Sequence, residues 1–505
     1  MSNRGKRYLM KKTYRGIRQN ISTKKLLKDE LWVDSLSEGG DPLWAMAYPA
    51  RYAVGMANLG FQYICTYLKE LGVAVERFFD DIEGDRSLEE GRPVGNFPII
   101  TFSVVYEPDV KKMLNMLNRW GVSPLWKDRA EKREPIIGVG GSLSVINPLI
   151  FSHIADFVVL GDGEEVIPYL VKTVRGFSET GDRNEFWEFI AEHPSIFVPP
   201  LHLDMLRRGE TLERKKSFCL DLSKAKGHAL WVSPHTVFPD TLLIETQRGC
   251  FRGCPYCTIP SCFGRPRFRQ LKEVIDDIRK ASKLGIRRLG VIAPESGDYP
   301  WIKEVLKEIR DARLEVSFAS LRIDNISDLL LETLVEGGQR QITIAPETGD
   351  QYFRVCCGKN FTNEHILDTL QKAQKIGLRK VKMYFMLGLP NEEDKHILET
   401  AKLIMEVKKN TGMNVVASVG LFIPKPQTPW ANMGFSHSTY KNKVSLLKSA
   451  IAGLKGSEIR VQSAREAKEE YRITWANADD TLDYFYSDVA PNRNKTVEQL
   501  KNLGF

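Results

Sequence analysis

Eight cysteines are spread over 505 residues, yet three fall in one short stretch, Cys250-Phe251-Arg252-Gly253-Cys254-Pro255-Tyr256-Cys257. Three thiolates spaced C-x3-C-x2-C on one loop bind three irons of a cubane and leave the fourth iron open to a small molecule. Gly249 and Gly253 would let such a loop curl. Arg248 and Arg252 would offset thiolate and cluster charge and favour the deprotonated thiols. The same residues admit two plainer readings. A structural zinc site wants a fourth ligand nearby, which Cys262 would supply. Alternatively, three buried thiols lie close together by coincidence.

A loop of this kind needs a scaffold, and the chain has the pattern of one. Short apolar runs at 242–246, 288–293, 315–320, 341–345, 380–385 and 415–423 alternate with helical periodicity, as at 271–284 and 397–407. Six such βα units predict a partial (β/α)6 barrel over 240–450. In barrels the chemistry sits at the C-terminal strand ends, and the cysteines follow the first strand. Upstream, runs at 43–48, 73–79, 98–104, 135–139 and 156–160 predict a five-stranded doubly wound, Rossmann-like domain over 40–181. Gly140-Gly141 and Gly161-Asp162-Gly163 end two of its strands. Between 182 and 239 the periodicity weakens and prolines recur (Pro194, Pro199, Pro200, Pro234, Pro239), which predicts a connecting segment. Residues 451–505, with Trp475, Tyr484, Phe485 and Tyr486 among charges, form a small C-terminal extension whose role the sequence does not disclose.

The net charge of +8 invites a nucleic-acid reading, but its location argues against one. Residues 1–28 carry ten Lys or Arg and no acid, so the rest of the chain is close to neutral. The basic segment, 1–39, is expected to be a solvated or loosely docked extension. An apolar fraction of 42% and a charged fraction of 27% exclude disorder and a disulfide scaffold. No run is apolar and long enough to span a bilayer and no secretory leader is evident, so a cytoplasmic protein without membrane contact is expected. The eight histidines show no metal-like pairing.

The C-x3-C-x2-C loop with an aromatic before its last cysteine, placed after the first strand of a βα series, resembles the radical S-adenosylmethionine (SAM) superfamily. That resemblance implies a 4Fe-4S cluster on Cys250, Cys254 and Cys257. It also implies SAM chelated to the open iron by its amino and carboxylate groups, and one-electron cleavage to a 5'-deoxyadenosyl radical. The expected SAM contacts are Tyr256, Ser296 for the amino group, Arg322 for the carboxylate, Glu347 for the ribose hydroxyls, and Met386 and Gly388 in the adenine-contacting segment. The plain alternative for each strand end is an ordinary turn.

The pieces 48–52, 138–141 and 160–165 are similar to the cobalamin-binding-like domain of one radical SAM subgroup. In that subgroup Ser103, Gly140, Gly141 and Gly161 would flank the cofactor's nucleotide tail. The D-x-H-x-x-G signature that supplies a histidine to cobalt does not occur, so a corrinoid here would be held by backbone and shape. An empty domain kept for docking is the alternative.

The leading expectation is a radical SAM methyltransferase acting on a large substrate, protein or RNA, or on a complex one, with a reductant such as flavodoxin or ferredoxin as partner. The alternatives are cobalamin-independent hydrogen abstraction for rearrangement, epimerisation or oxidation, and a non-catalytic iron-sulfur scaffold. A methylthiotransferase would need three further N-terminal cysteines, where only Cys65 and Cys219 stand. No residue is singled out as the catalytic group acting on substrate. Cys356-Cys357, after the fourth barrel strand, reads as inert buried thiols more readily than as a hydrogen donor or ligand of a second cluster.

Overall fold

The computed structural model describes residues 21–82, 84–486 and 489–505; most of the basic N-terminal run lies outside them. Near-continuous apolar stretches become parallel strands covered on both faces. The first sheet comprises β1 (Leu43–Tyr48), β2 (Ala74–Phe79), β3 (Ile99–Ser103), β4 (Ile136–Gly140), β5 (Phe157–Val159) and β6 (Ile196–Phe197), in the order β2-β1-β3-β4-β5-β6. The order reverses between β1 and β3, the switch point at which doubly wound sheets open a crevice. Ser103 and Gly140 end their strands side by side, paired in register.

The sixth strand was not anticipated. It lies in the presumed connector and runs antiparallel to β5. The prolines there do not all break structure: Pro199 and Pro200 open the helix Pro199–Arg207, where the missing N–H costs nothing. Farther on, Trp231–Val232 pairs with Leu31–Trp32. The N-terminal extension is therefore partly built in. Leu26 is buried, and Glu30 makes a fully buried ion pair with Arg77 at 2.7 Å.

The seven main strands of the second unit run parallel: β7 (Thr241–Glu245), β8 (Arg288–Ile292), β9 (Glu315–Phe318), β10 (Gln341–Glu347), β11 (Lys380–Leu387), β12 (Asn414–Leu421) and β13 (Ser457–Val461). These form two hydrogen-bonded groups, β9-β8-β7 and β10-β11-β12-β13. The partial barrel thus has seven strands rather than six. The seventh lies in the presumed C-terminal extension, where Ser457-Glu458-Ile459-Arg460-Val461 is only partly buried and reads as charged surface until it pairs with β12.

The remaining C-terminal residues close the molecule. Ile473, Ala476, Phe485, Leu500 and Leu503 enter the core of the first domain beside Phe102, Leu143 and Leu149. Asn147 donates to the carbonyls of Thr474 and Ala476 at 3.0 and 2.8 Å, and the Trp475 indole donates to Pro424 at 2.8 Å. No described helix is long and apolar enough to cross a membrane.

Candidate active site

The cysteine loop leaves β7 through Thr246-Gln247-Arg248. Its path is set by Gly249, whose φ of +72° suits glycine and where a Cβ would strike the Arg265 carbonyl. Gly253 carries no such demand; a Cβ there meets nothing within 4 Å. The Cys250 amide donates to Gly264 at 3.2 Å, and Cys257 opens the helix Thr258–Cys262. Cys262 ends that helix and is buried against Val145, Ile146 and Phe263, a packing role. Among the described residues no three His, Cys, Asp or Glu side chains converge as ligands of a single ion. Thiolates bound to separate irons of a cubane need no such convergence.

The arginines offset the thiols only in part: Arg252 favours the Cys250 thiolate by its charge and by its amide, 3.3 Å from Cys250 Sγ, and Arg248 is engaged elsewhere. Arg248 is taken by Glu164 at 2.7 Å, Glu245 at 2.9 Å and Asp162 at 3.5 Å. Arg252 binds Asp298, its Nε lying 2.9 Å from the carboxylate. Burial outweighs them, pushing the Cys250 thiol up and the Cys257 thiol up to about 11. Deprotonation is left to a bound metal.

The strand ends gather round this loop. After β8, Glu295 and Ser296 are buried, with the Ser296 amide donating to Ser320 at 3.2 Å. Asp298 joins Arg252 to Asn325, tying the loop to the ends of β8 and β9. Arg322 follows β9; it pairs with Asp324 at 3.0 Å, and its Nη1 stands 4.0 Å from Cys254 Sγ. Glu347 ends β10 at a register shift, with φ of +68°, an uncommon conformation for a residue bearing a side chain. Its Oε1 accepts from Tyr256 at 2.9 Å and from Lys359 at 2.6 Å. Tyr256 and Met386 share an apolar cluster with Phe353, Leu389, Phe422 and Trp430. The Gly388 amide donates to Glu392 at 2.7 Å, so that backbone group is already used. Cys357 is buried in the same cluster, where burial pushes its thiol well up, while Cys356 is half-buried.

Five buried polar atoms close by make no hydrogen bond: Thr246 Oγ1, Gln247 Oε1 and Nε2, Glu295 Oε2 and Ser296 Oγ. Such orphans are costly unless a ligand or water completes them. Burial pushes Glu295 up to about 7, while the amides of Arg322 and Gly297 pull it back. Sequence reasoning passed over Glu295, Thr246 and Lys359. Only their nearness to the chosen strand ends offered a signal.

The four candidates in the first domain divide. Ser103 is buried at the end of β3. A Cβ on Gly140 would point into open space. Gly141 has φ of +102°, and a Cβ there would lie 2.6 Å from the Val104 carbonyl. Gly161, at φ of +125°, is pressed against the Ser217 backbone, with which it forms a bridge. Its glycine is needed for the chain's own packing. The following Asp162 and Glu164 grip Arg248, and Asp162 also takes Arg267 at 2.7 Å. That turn is a joint between the units, not an open strand end. Elements of the two units meet directly: the helix Ser142–Ile146 packs on Thr258–Cys262.

A doubly wound domain, a partial parallel barrel and three cysteines after its first strand define a class. Residues 244–404 match the model of the radical SAM superfamily, and residues 81–199 match that of the N-terminal segment of radical SAM proteins. Together the two models span more than half of the chain, and the chain belongs to the radical SAM superfamily.

An uncharacterized protein of Methanocaldococcus jannaschii is 27% identical over 459 residues, covering 90% of this chain and 93% of that one. The tRNA-2-methylthio-N(6)-dimethylallyladenosine synthase of Geobacillus kaustophilus is 25% identical over 203 residues, 38% of this chain and 37% of the synthase. The chain thus spans little more than a third of that relative. Among solved structures, the radical SAM methyltransferase TsrM from Kitasatospora setae, with cobalamin and a [4Fe-4S] cluster bound, has a TM-score of 0.58 at 13% identity, covering 91% of this chain and 99% of that one. The cobalamin-dependent SAM radical enzyme OxsB has a TM-score of 0.53 at 15% identity, over 72% of this chain and 52% of that one. At these identities the likenesses speak for the fold.

Proposed function

We propose that the chain holds a 4Fe-4S cluster on Cys250, Cys254 and Cys257, binds SAM across the ends of β7 to β11, and methylates a large or complex substrate with a corrinoid in the first domain. The observation that carries this reading is the set of orphaned polar atoms beside the cysteine loop, Thr246 Oγ1, Glu295 Oε2 and Ser296 Oγ. They suit a ligand bearing amino, carboxylate and hydroxyl groups. When bound, the cluster supplies an electron to a sulfonium, and the corrinoid supplies a carrier for a methyl group.

The protein's part is to bind and orient. Ser296 and Glu295 accept from an amino group, while Arg322, already steered by Asp324, presents its guanidinium edge to a carboxylate. Glu347, held by Tyr256 and Lys359, faces ribose hydroxyls. Met386 and the turn at Gly388 offer an apolar wall to an adenine. In the first domain Ser103 and the open face of Gly140 take a corrinoid's nucleotide tail, and the contact of Ser142–Ile146 with Thr258–Cys262 brings that site beside the cluster loop. TsrM, whose fold is shared over 91% of this chain, binds both cofactors and supports this reading.

A cobalamin-independent hydrogen-abstracting enzyme is the second reading, favoured by Gly141 and Gly161, both faced by the chain's own backbone. Anaerobic reconstitution separates the two. The wild type should take up four irons, cleave SAM under strong reductant and retain corrinoid; a cluster and SAM cleavage with no corrinoid uptake selects the second reading. Cys254→Ala should lose both the iron-sulfur absorbance and 5'-deoxyadenosine production; SAM cleavage at the wild-type rate by that variant overturns the cluster assignment.

A further inference from the structure

The cysteine loop has a second face. Residues Ser261 and Gly264, on the segment that returns from the loop, line a cleft of about 790 Å3 together with Arg214, Lys215, Lys216 and Lys501. Gly264 accepts the Cys250 amide at 3.2 Å, and the Ser261 hydroxyl lies 3.4 Å from the Cys257 carbonyl. One wall of the cleft is therefore the segment that holds two of the proposed cluster ligands. The described lining carries four cations and no Asp or Glu.

This surface is preformed. The last turn of the helix Arg493–Leu503 packs along it: the Leu212 amide donates to the Asn502 carbonyl at 2.7 Å and the Arg214 amide to the Leu503 carbonyl at 2.8 Å. The Lys215 amide donates to Pro194 at 3.0 Å, and Lys216 lies over the Phe505 ring at 4.6 Å while bonding Gln427. Arg214 and Lys216 are thus used in shaping the cleft. Lys215 and Lys501 are exposed, as is Arg265 beside Gly264, and present their charge outward.

We propose that this cleft is the docking surface for an acidic one-electron carrier protein. The inference rests on the cluster assignment above and adds where its electron enters. Electron tunnelling falls steeply with distance, so a donor must approach the ligand loop itself, and this cleft borders that loop with four cations in its lining. A basic lining steers an acidic partner and speeds its encounter, an effect that salt screens. The step is a single-electron transfer: the carrier is oxidised by one electron, the cluster is reduced by one, and no bond changes in the docking event.

The test uses full-length, reconstituted protein with a reduced acidic flavodoxin as probe, comparing wild type with Lys215→Glu/Lys501→Glu. Cluster reduction by flavodoxin should slow roughly tenfold or more in the variant and, in wild type, should slow as ionic strength rises. Reduction by dithionite, which needs no docking, should be unchanged. Titration of oxidised flavodoxin, which needs no catalysis, should show the same loss of affinity. Equal flavodoxin affinity in the two proteins overturns the docking site. So does loss of binding to a tRNA probe while flavodoxin binding is kept, which would mark the cleft as an RNA surface. Failure of wild type to cleave SAM with dithionite would instead count against the proposed function, and the flavodoxin titration would still decide the docking site.

Discussion

Strand ends drawn from each of the two units have opposite fates. In the first domain the turn after β5 is filled: Ser217 occupies the space beside Gly161, while Asp162 and Glu164 close on Arg248 and Arg267. In the barrel the turns after β7 and β8 are buried yet incomplete, with Thr246, Glu295 and Ser296 each holding a polar atom that nothing satisfies. The first pattern spends its polar groups on stability. The second leaves them for a ligand, the usual meaning of an orphaned buried group. A glycine-rich strand end is therefore not by itself a binding site; what approaches it decides.

Breaking the joint gives the largest expected effect. Arg248→Ala leaves Glu245 and Glu164, both buried, without their cation. Removing one partner of a buried ion pair costs about 3–5 kcal/mol, so the variant's denaturant midpoint should fall sharply. A midpoint within error of wild type would mean that the arginine is dispensable to the joint.

Two glycine variants sharpen the comparison at intermediate size. Gly161→Ala places a Cβ against Ser217 at a φ that disfavours a side chain and should cost about 1–3 kcal/mol. Gly140→Ala meets open space and should leave thermal stability nearly unchanged while lowering corrinoid retention. Equal loss of stability in both would erase the distinction between filled and open ends.

The smallest effect is a pH dependence at the barrel end. Burial raises Glu295 to about 7 from an ordinary 4.5, so the folded protein holds its proton more tightly than the unfolded chain. Its contribution to stability is intact below about 4.5 and is lost as the pH rises through about 7. Glu295→Gln removes that loss, so the ligand-free variant should gain on wild type in melting temperature at pH 8 relative to pH 5. A difference independent of pH would show that Glu295 does not titrate in this window.

Much of this was legible beforehand because it depends on local pattern. Strand β1 lies at 43–48 as its apolar run implies, and the cysteine spacing marks its own loop. Elements that take their meaning from a distant partner were not legible. Ile196–Phe197 is two residues long and counts as a strand only because β5 lies beside it. Ser457–Val461 looks like charged surface without β12. Arg248 and Arg252 read as counter-charges to the thiols because their acids, Glu164 and Asp298, lie far off in sequence.

By itself, then, the order of residues determined the alternation of strands and helices and the close spacing of three cysteines on one loop, since periodicity and short spacing act within a few residues. Tertiary structure alone decided which glycines are filled, which charges are already spent, and which polar atoms stand unpaired. Those outcomes depend on atoms brought to about 3 Å from segments far apart in the chain, and an unsatisfied group is defined only once all its neighbours are in place.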